Sequence, residues 1–361
     1  MLQETEIRPN ENADDWAIRS ELWMAKAAKP HRKRKRRERS FRPLILTGHG
    51  TTLRIEQGSL LIKQGFSHYP QKAEQFRYFK GDLELPKLIL LLDGSGSISF
   101  DVLGWLGEQG VALARVQWVG DPVVYASGAG FIGNPENLQW QYETQSNKQL
   151  RLEFARKLIC DKVRNSLGTL RKHVPDSPYR EKAIAKANET LATLPNCRLT
   201  EMNDLRSIEG ECAARYFAAW KPIELHWKAE GRYPIPDTWR QYRARSSILT
   251  GRKARNWKAS HPINAMLNYA YSVRLAQFQV QAVIDGYDPF AGIMHHYRRE
   301  VPAFAYDLIE PERPKVDAAI LAFAQKQTFS GADFILRKDG VCRLSPQLAR
   351  AVVAEVLPRY T

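Results

Sequence analysis

The sequence predicts an α+β protein, a small N-terminal β-rich domain followed by a larger all-α domain. Three observations lead there. The chain has 361 residues, enough for two domains that each bury a core. From Arg42 to about Phe131 the apolar residues recur with a period near two and are punctuated by glycines. From Asn147 onward the apolar period becomes helical. The expected limits are a basic, disordered tail over residues 1–41, a β-rich domain over 42–140 and a helical domain over 147–361.

In the tail, Glu11, Asp14, Asp15 and Glu21 are mixed with Trp16, Leu22, Trp23 and Met24, which allows a short amphipathic helix. Between Lys26 and Arg39 there are nine basic residues and one acid, so this block supplies +8 of the chain's net +15. Such a block repels itself and stays extended. It is either a solvated tail or a nonspecific phosphate contact.

In the β-rich part, Leu44–Leu46, Thr52–Ile55 and Leu60–Ile62 read as short strands split by Gly48, Gly50, Gly58 and Gly65. Leu88–Leu92 is a continuous apolar strand. A turn at Asp93–Ser97 leads to a helix from Phe100 to Gln109, with Ser99 as N-cap and Gly110 after the last turn. Val111–Val116 is the next strand. Gly94 and Gly96 lack the third glycine or the lysine of a phosphate-binding loop, so they are read as a tight strand-to-helix turn.

The sequence turns polar near Gln139–Ser146, where the domain boundary is expected. One long helix follows, reaching about Val174 and broken by Pro175 and Pro178. A second covers Tyr179–Leu194, and a third runs from an N-cap at Thr200 to Trp220. Gly210 lies inside the third, where glycine costs about 1 kcal/mol relative to alanine, so a close backbone neighbour is expected there. Residues 232–258 form a basic, loop-rich segment. In it Arg243, Arg245, Arg252, Arg255 and Lys258 alternate with Trp239, Tyr242 and Trp257. That pattern suits phosphate pairing and stacking on unpaired bases, or a solvated loop whose aromatics fold inward. A long apolar helix spans Pro262 to about Ile284. The chain closes with a helix from Pro314, a two-stranded turn around Asp339-Gly340 and a helix from Ser345.

The stretch 285–314 carries the chemistry. After the Asp288-Pro289 turn come His295, Arg298 and Arg299, then an apolar run holding Asp307 and Glu310. A helix places those two acids as neighbours on one face. If that face is buried, two carboxylates about 5 Å apart repel by roughly 3 kcal/mol at an effective dielectric near 20. Either the face is solvated, or a positive group lies among Asp307, Glu310 and His295.

The whole-chain charge, with a pI near 9.6, points to an acidic partner, nucleic acid ahead of an anionic membrane. Cys160, Cys197, Cys212 and Cys342 are scattered without a C-x-x-C pair, which argues against a zinc ribbon and fits a reducing cytoplasm. There is no run of 18 apolar residues, hence no expected membrane span, and no cationic-then-apolar start, hence no expected secretory signal.

Five motifs in order resemble the CRISPR-associated Cas1 family, the endonuclease and integrase of spacer acquisition. They are Ile208-Glu209-Gly210 with Ala213–Phe217, then His261–Tyr271, then Asp288-Pro289 through Gly292 to His295. Asp307-Leu-Ile-Glu310-Pro-x-Arg-Pro314 and Asp339–Pro346 with Leu348–Arg350 complete them. The Gly94–Leu113 segment is similar to the family's β-domain. His261 stands where the family usually has an acid, and Glu312 where it has an apolar residue; neither is a metal ligand in the pattern.

The resemblance implies that Glu209, His295 and Glu310 hold one Mg²⁺ or Mn²⁺ ion, with Asp307 supporting a ligand or a water. It implies metal-dependent transesterification that joins the 3′-hydroxyl ends of short prespacer DNA to a CRISPR repeat. Arg298, Arg299 and Arg313 would hold phosphates near the ion, and Tyr216 and Asn264 would orient ligands from behind. The implied partners are double-stranded DNA, a second copy of this chain and a small Cas2 protein in a heterohexamer, with no membrane. The alternatives are a transposon integrase built on the same domain, a tyrosine recombinase suggested by His295-x-x-Arg298, and a noncatalytic architectural DNA-binding protein.

Overall fold

The computed structural model describes residues 16–27, 43–65, 74–116, 124–126, 133–197, 201–245, 258–295 and 301–356. The chain begins with helix α1 (Trp16–Ala27) and then builds a six-stranded mixed sheet. Its strands are β1 (Leu44–Glu56), β2 (Ser59–Lys63), β3 (Gln75–Tyr78), β4 (Leu88–Ile98), β5 (Ala112–Val116) and β6 (Val124–Ala126), in the order β3-β2-β1-β4-β5-β6. β4 lies parallel to both β1 and β5, and helix α2 (Phe100–Glu108) makes the crossover from β4 to β5.

Two of the expected short strands are one. Leu44–Glu56 is continuous, because Gly48 and Gly50 take φ of +93° and +80° and absorb register shifts against β4. These are bulge positions, where the missing Cβ lets the strand bend without ending. Ser99 sits at the N-cap of α2 as expected, but its hydroxyl makes no capping bond. Gly110 follows that helix with φ +59°.

Alternation along β4 places the sheet between two cores. Ile89 packs with Leu46, Leu60, Ile62, Val102, Trp105 and Leu106 beneath α2. Leu88, Leu90 and Leu92 face the opposite way and join the large core of the helical region. The two parts are therefore packed on one another. Asp93 reinforces the junction at φ +50°: it accepts from the Tyr269 hydroxyl and lies 3.4 Å from the Arg343 guanidinium.

The helical part comprises α3 (Pro135–Ser146), α4 (Lys148–His173), α5 (Pro178–Thr193), α6 (Met202–Ala218), α7 (Pro262–Ile284), α8 (Ala303–Ile309), α9 (Arg313–Lys326) and α10 (Pro346–Val356). Two small strand pairs interrupt it. Parallel β7 (His226–Trp227) pairs with β8 (Thr328–Phe329), and antiparallel β9 (Phe334–Leu336) pairs with β10 (Cys342–Leu344) around the expected Asp339-Gly340 turn. Capping explains the helix limits. Asn134, Asn147, Ser177 and His261 each accept a first-turn N–H, and prolines stand at the start of α3, α5 and α7. α6 starts after Glu201, which makes a capping box with Asp204; Thr200 lies outside the described residues.

Three expectations need correction. The polar stretch 139–146, where the domain boundary is expected, is most of helix α3, whose polar side chains are used on other parts of the fold. Gly210 has no heavy atom within 4 Å of where a Cβ would stand, so close packing does not account for it. The tail is ordered over α1, which packs along α10 with Arg19 and Trp23 buried. Asp333 draws them in: it accepts from Arg19 Nε at 2.9 Å, Trp23 Nε1 at 2.8 Å and the Ser330 amide at 2.8 Å. A buried charge with this many partners is satisfied in full, and Trp23 adds stacking on Phe329. The basic block after Ala28 lies outside the described residues.

Candidate active site

A helix, a turn and a loop converge beside the middle of α4. α6 brings Glu209, the turn after α8 brings Glu310, and the loop from Asp288 brings His295. Together with Lys162, Arg206 and Met294 they line a cavity of about 320 Å³. A second cavity of about 270 Å³ shares Lys162, Glu209 and Glu310 and continues toward Tyr216, Arg245, Tyr271, Arg313 and Asp317.

The positive group between the carboxylates is Lys162, which the sequence did not single out. Its ammonium donates to Glu209 Oε1 at 2.5 Å and to Glu310 Oε2 at 2.6 Å. Burial works against its charge, but Glu310 and Glu209 outweigh that and raise its pKa. Glu310 is buried, which alone would raise its pKa. Arg313, with Nε 2.9 Å from Glu310 Oε1, and Lys162 overcome this and hold the carboxyl near about 2. It is therefore an anion at any working pH.

Asp307 has a different task. Its Oδ2 accepts the Ile293 and Met294 amides at 2.6 and 2.9 Å. Its Oδ1 accepts the His295 amide at 2.9 Å and faces His295 Nδ1 at 2.7 Å. All the strong acceptor directions of this fully buried carboxylate are used. Asp307 thus shapes the loop and orients the imidazole through Nδ1, which donates to its acceptor-only carboxylate.

The carbonyls of the same loop are held from the other side. Buried Gln141 donates to the Asp288 and Ala291 carbonyls, both at 2.8 Å, and accepts the Asp288 amide at 3.0 Å. Gln145 donates to the Gly292 carbonyl at 2.7 Å, Arg151 to the Ile293 carbonyl at 2.6 Å and Arg206 to the Met294 carbonyl at 3.3 Å. Side chains of α3, α4 and α6 therefore clamp successive carbonyls of the loop that carries the histidine. Gly292 is required there, because a Cβ would stand 2.5 Å from the His295 carbonyl and 2.6 Å from Ala303.

The supporting residues divide. Tyr216 lines the shared cavity and donates to Asp317 Oδ2 at 2.9 Å, with Tyr271 donating to the other oxygen. Burial pushes Asp317 up to about 6 against the pull of those two hydroxyls. Asn264 lies elsewhere: it is buried on α7 and donates to the Ala244 carbonyl at 2.8 Å, so it pins the basic segment instead of orienting a ligand.

Arg313 is committed to Glu310 and lies over the Tyr271 ring. Arg245 donates to Asn268 Oδ1 at 2.8 Å, also over Tyr271, and lines the second cavity. Arg243 is exposed and Lys258 half-buried. Trp239 and Tyr242 are buried in the core, which removes both as base-stacking platforms. Trp257, Arg252, Arg255, Arg298 and Arg299 lie outside the described residues.

Among the described residues, no three His, Cys, Asp or Glu side chains stand close enough to share an ion, and Lys162 fills the space between Glu209 and Glu310. The donor set nevertheless fits a hard divalent cation. Two carboxylates already hold a cationic nitrogen between them, and His295 lines the same cavity.

The sequence profile of the family described as CRISPR associated protein Cas1 matches residues 44–357. The chain belongs to the Cas1 family. A CRISPR-associated endonuclease Cas1 from Methanospirillum hungatei is 26% identical over 323 residues, covering 88% of this chain and 87% of that protein. Two solved structures share the Cas1 fold seen here. A casposase bound to integration product has a TM-score of 0.68 at 23% identity, over 87% of this chain and 81% of that one. A Cas6-RT-Cas1–Cas2 complex has a TM-score of 0.62 at 16% identity, over 91% of this chain and 33% of that one. The N-terminal β-rich and C-terminal helical arrangement expected from the sequence is that of the family. Among the described residues no helix is long and apolar enough to cross a membrane.

Proposed function

We propose that this Cas1 protein is a divalent-metal-dependent DNA endonuclease and integrase of CRISPR adaptation. On this reading it joins the 3′-hydroxyl ends of short prespacer DNA to the repeat of a CRISPR array. The observation that carries the reading is the meeting of Glu209, His295 and Glu310 on one cavity, from three separate parts of the chain.

Glu209, Glu310 and His295 Nε2 would hold Mg²⁺ or Mn²⁺, the imidazole favouring Mn²⁺. A bound ion would polarise the target phosphodiester and make the attacking 3′-hydroxyl a better nucleophile. The rest falls to the chain's own residues. Asp307 keeps Nδ1 protonated so that Nε2 faces the reaction, and the Gln141–Arg206 clamp fixes the height of the loop. Arg313 keeps Glu310 ionised, and Arg245 offers charge along the second cavity. One phosphodiester is exchanged for another, so no nucleotide triphosphate is consumed. The likeness to the casposase fold and the net charge of +15 support DNA as substrate. The structure described as a Cas1–Cas2 complex supports a Cas2 partner, and a second copy of this chain completes the proposed assembly in the cytoplasm.

The test is strand joining of a 3′-hydroxyl duplex into a repeat plasmid with Mn²⁺. Wild-type protein is expected to join, and EDTA to stop it without leaving a protein–DNA adduct. His295→Ala is expected to lose joining while binding DNA near normally. Full joining by His295→Ala would overturn the proposal.

A further inference from the structure

Lys162 occupies the place where the two carboxylates assigned to the ion point. Its Nζ lies 2.5 Å from Glu209 Oε1 and 2.6 Å from Glu310 Oε2, and its side chain is only 18% exposed. A divalent ion held between the same two glutamates would bind their oxygens at about 2.0–2.2 Å. An ammonium already lying between Glu209 Oε1 and Glu310 Oε2 crowds and repels such an ion.

We propose that Lys162 is a tethered counter-ion that keeps the site closed without metal and competes with the ion for Glu209 and Glu310. A DNA phosphate accepts the displaced ammonium, so ion and DNA load together. The inference rests on the metal-site reading above and adds the coupling.

Three features of the site support it. Lys162 lines both cavities, so a displaced ammonium has room to move into either. Its stem is a flexible four-carbon chain, able to swing without moving α4. The remaining cations at the site are held in place: Arg313 by Glu310, and Arg206 by the Met294 carbonyl and Asn203. Among these cations Arg313 touches Glu310 from one side, whereas only Lys162 bridges both carboxylates that an incoming ion would claim. Once they are claimed, its charge faces the cavity through which a phosphodiester must approach His295. Each ligand then removes the obstacle to the other, which is positive linkage between two sites and is reciprocal.

The test is a titration of the full chain with Mn²⁺, free ion being read by electron paramagnetic resonance. It is run with and without a short duplex lacking a reactive 3′ end, and binding to DNA alone is subtracted. Lys162→Met is expected to bind Mn²⁺ about tenfold more tightly than wild type without DNA, a coupling of ordinary size. Addition of duplex is expected to tighten Mn²⁺ binding by the wild type and to leave Lys162→Met unchanged. Lys162→Gln, which keeps a polar head and removes the charge, is expected to follow Lys162→Met and serves if the latter folds poorly. Equal affinities in wild type and both variants, or a DNA-induced gain that persists in them, would overturn the competition. Failure of all three proteins to bind Mn²⁺ would overturn the metal site itself.

Discussion

Glu209→Gln is expected to cost about 10³-fold in strand joining, ~4 kcal/mol of transition-state stabilisation, while DNA binding and folding stay near wild type. The amide keeps the size of the side chain and removes its charge. Glu209 is half-buried with Lys162 as its ion-pair partner, so its loss leaves little else unpaired in the fold. Glu310→Gln is expected to lose joining to the same extent and to lose stability too. Arg313 and Lys162 both face that buried carboxylate, and removing one side of a buried ion pair typically costs about 3–5 kcal/mol. The pair separates catalysis from folding: thermal melting should distinguish the two variants while the joining assay does not. Joining by Glu209→Gln within a factor of about ten of wild type would remove that residue from the ligand set.

The second large effect is expected at Asp307. In Asp307→Asn one acceptor oxygen becomes an NH₂ donor. It must then face either the Ile293 and Met294 amides or the His295 amide and ring. Donors meet donors in a buried site, at about 1–3 kcal/mol for each unsatisfied group. The imidazole also loses the partner that fixes its tautomer, a change that typically lowers metal affinity by about 10–100-fold. Because the ligands themselves are intact, high Mn²⁺ is expected to restore part of the joining in Asp307→Asn and none in Glu209→Gln. Equal failure to respond to Mn²⁺ would make Asp307 a ligand in its own right, contrary to its saturated hydrogen bonding.

The site was legible in the sequence to the extent that its residues announce themselves locally. The pairing of Asp307 with Glu310 raised the need for a positive group, and the family motifs supplied Glu209 from a distant helix. What stayed hidden was the identity of that group. Lys162 sits on a 26-residue helix rich in charge, where one lysine among many reads as solvated. Gln141 and Gln145 look like part of a polar domain boundary, because their partners lie roughly 150 positions away and a hydrogen bond over that separation leaves no local pattern.

The fold divides in the same way between local and distant signals. Helix limits set by caps and prolines, such as Pro262–Ile284, could be read directly. Arg19 and Trp23 could not, since only the distant Asp333 explains their burial. Trp239 and Tyr242 follow the second of the two alternatives that the sequence leaves open. Their basic neighbours suggested a surface, but aromatic rings flanked by arginines can fold inward while the guanidinium groups stay out.

On the proposed reading Glu209, Glu310 and the imidazole Nε2 of His295 hold one divalent ion. Pulsed electron paramagnetic resonance of the Mn²⁺-loaded protein reads that coordination itself. One tightly bound Mn²⁺ per chain is expected, with a directly coordinated imidazole nitrogen whose coupling vanishes in His295→Ala. Bound Mn²⁺ without a nitrogen coupling, or a coupling that survives in His295→Ala, would contradict it.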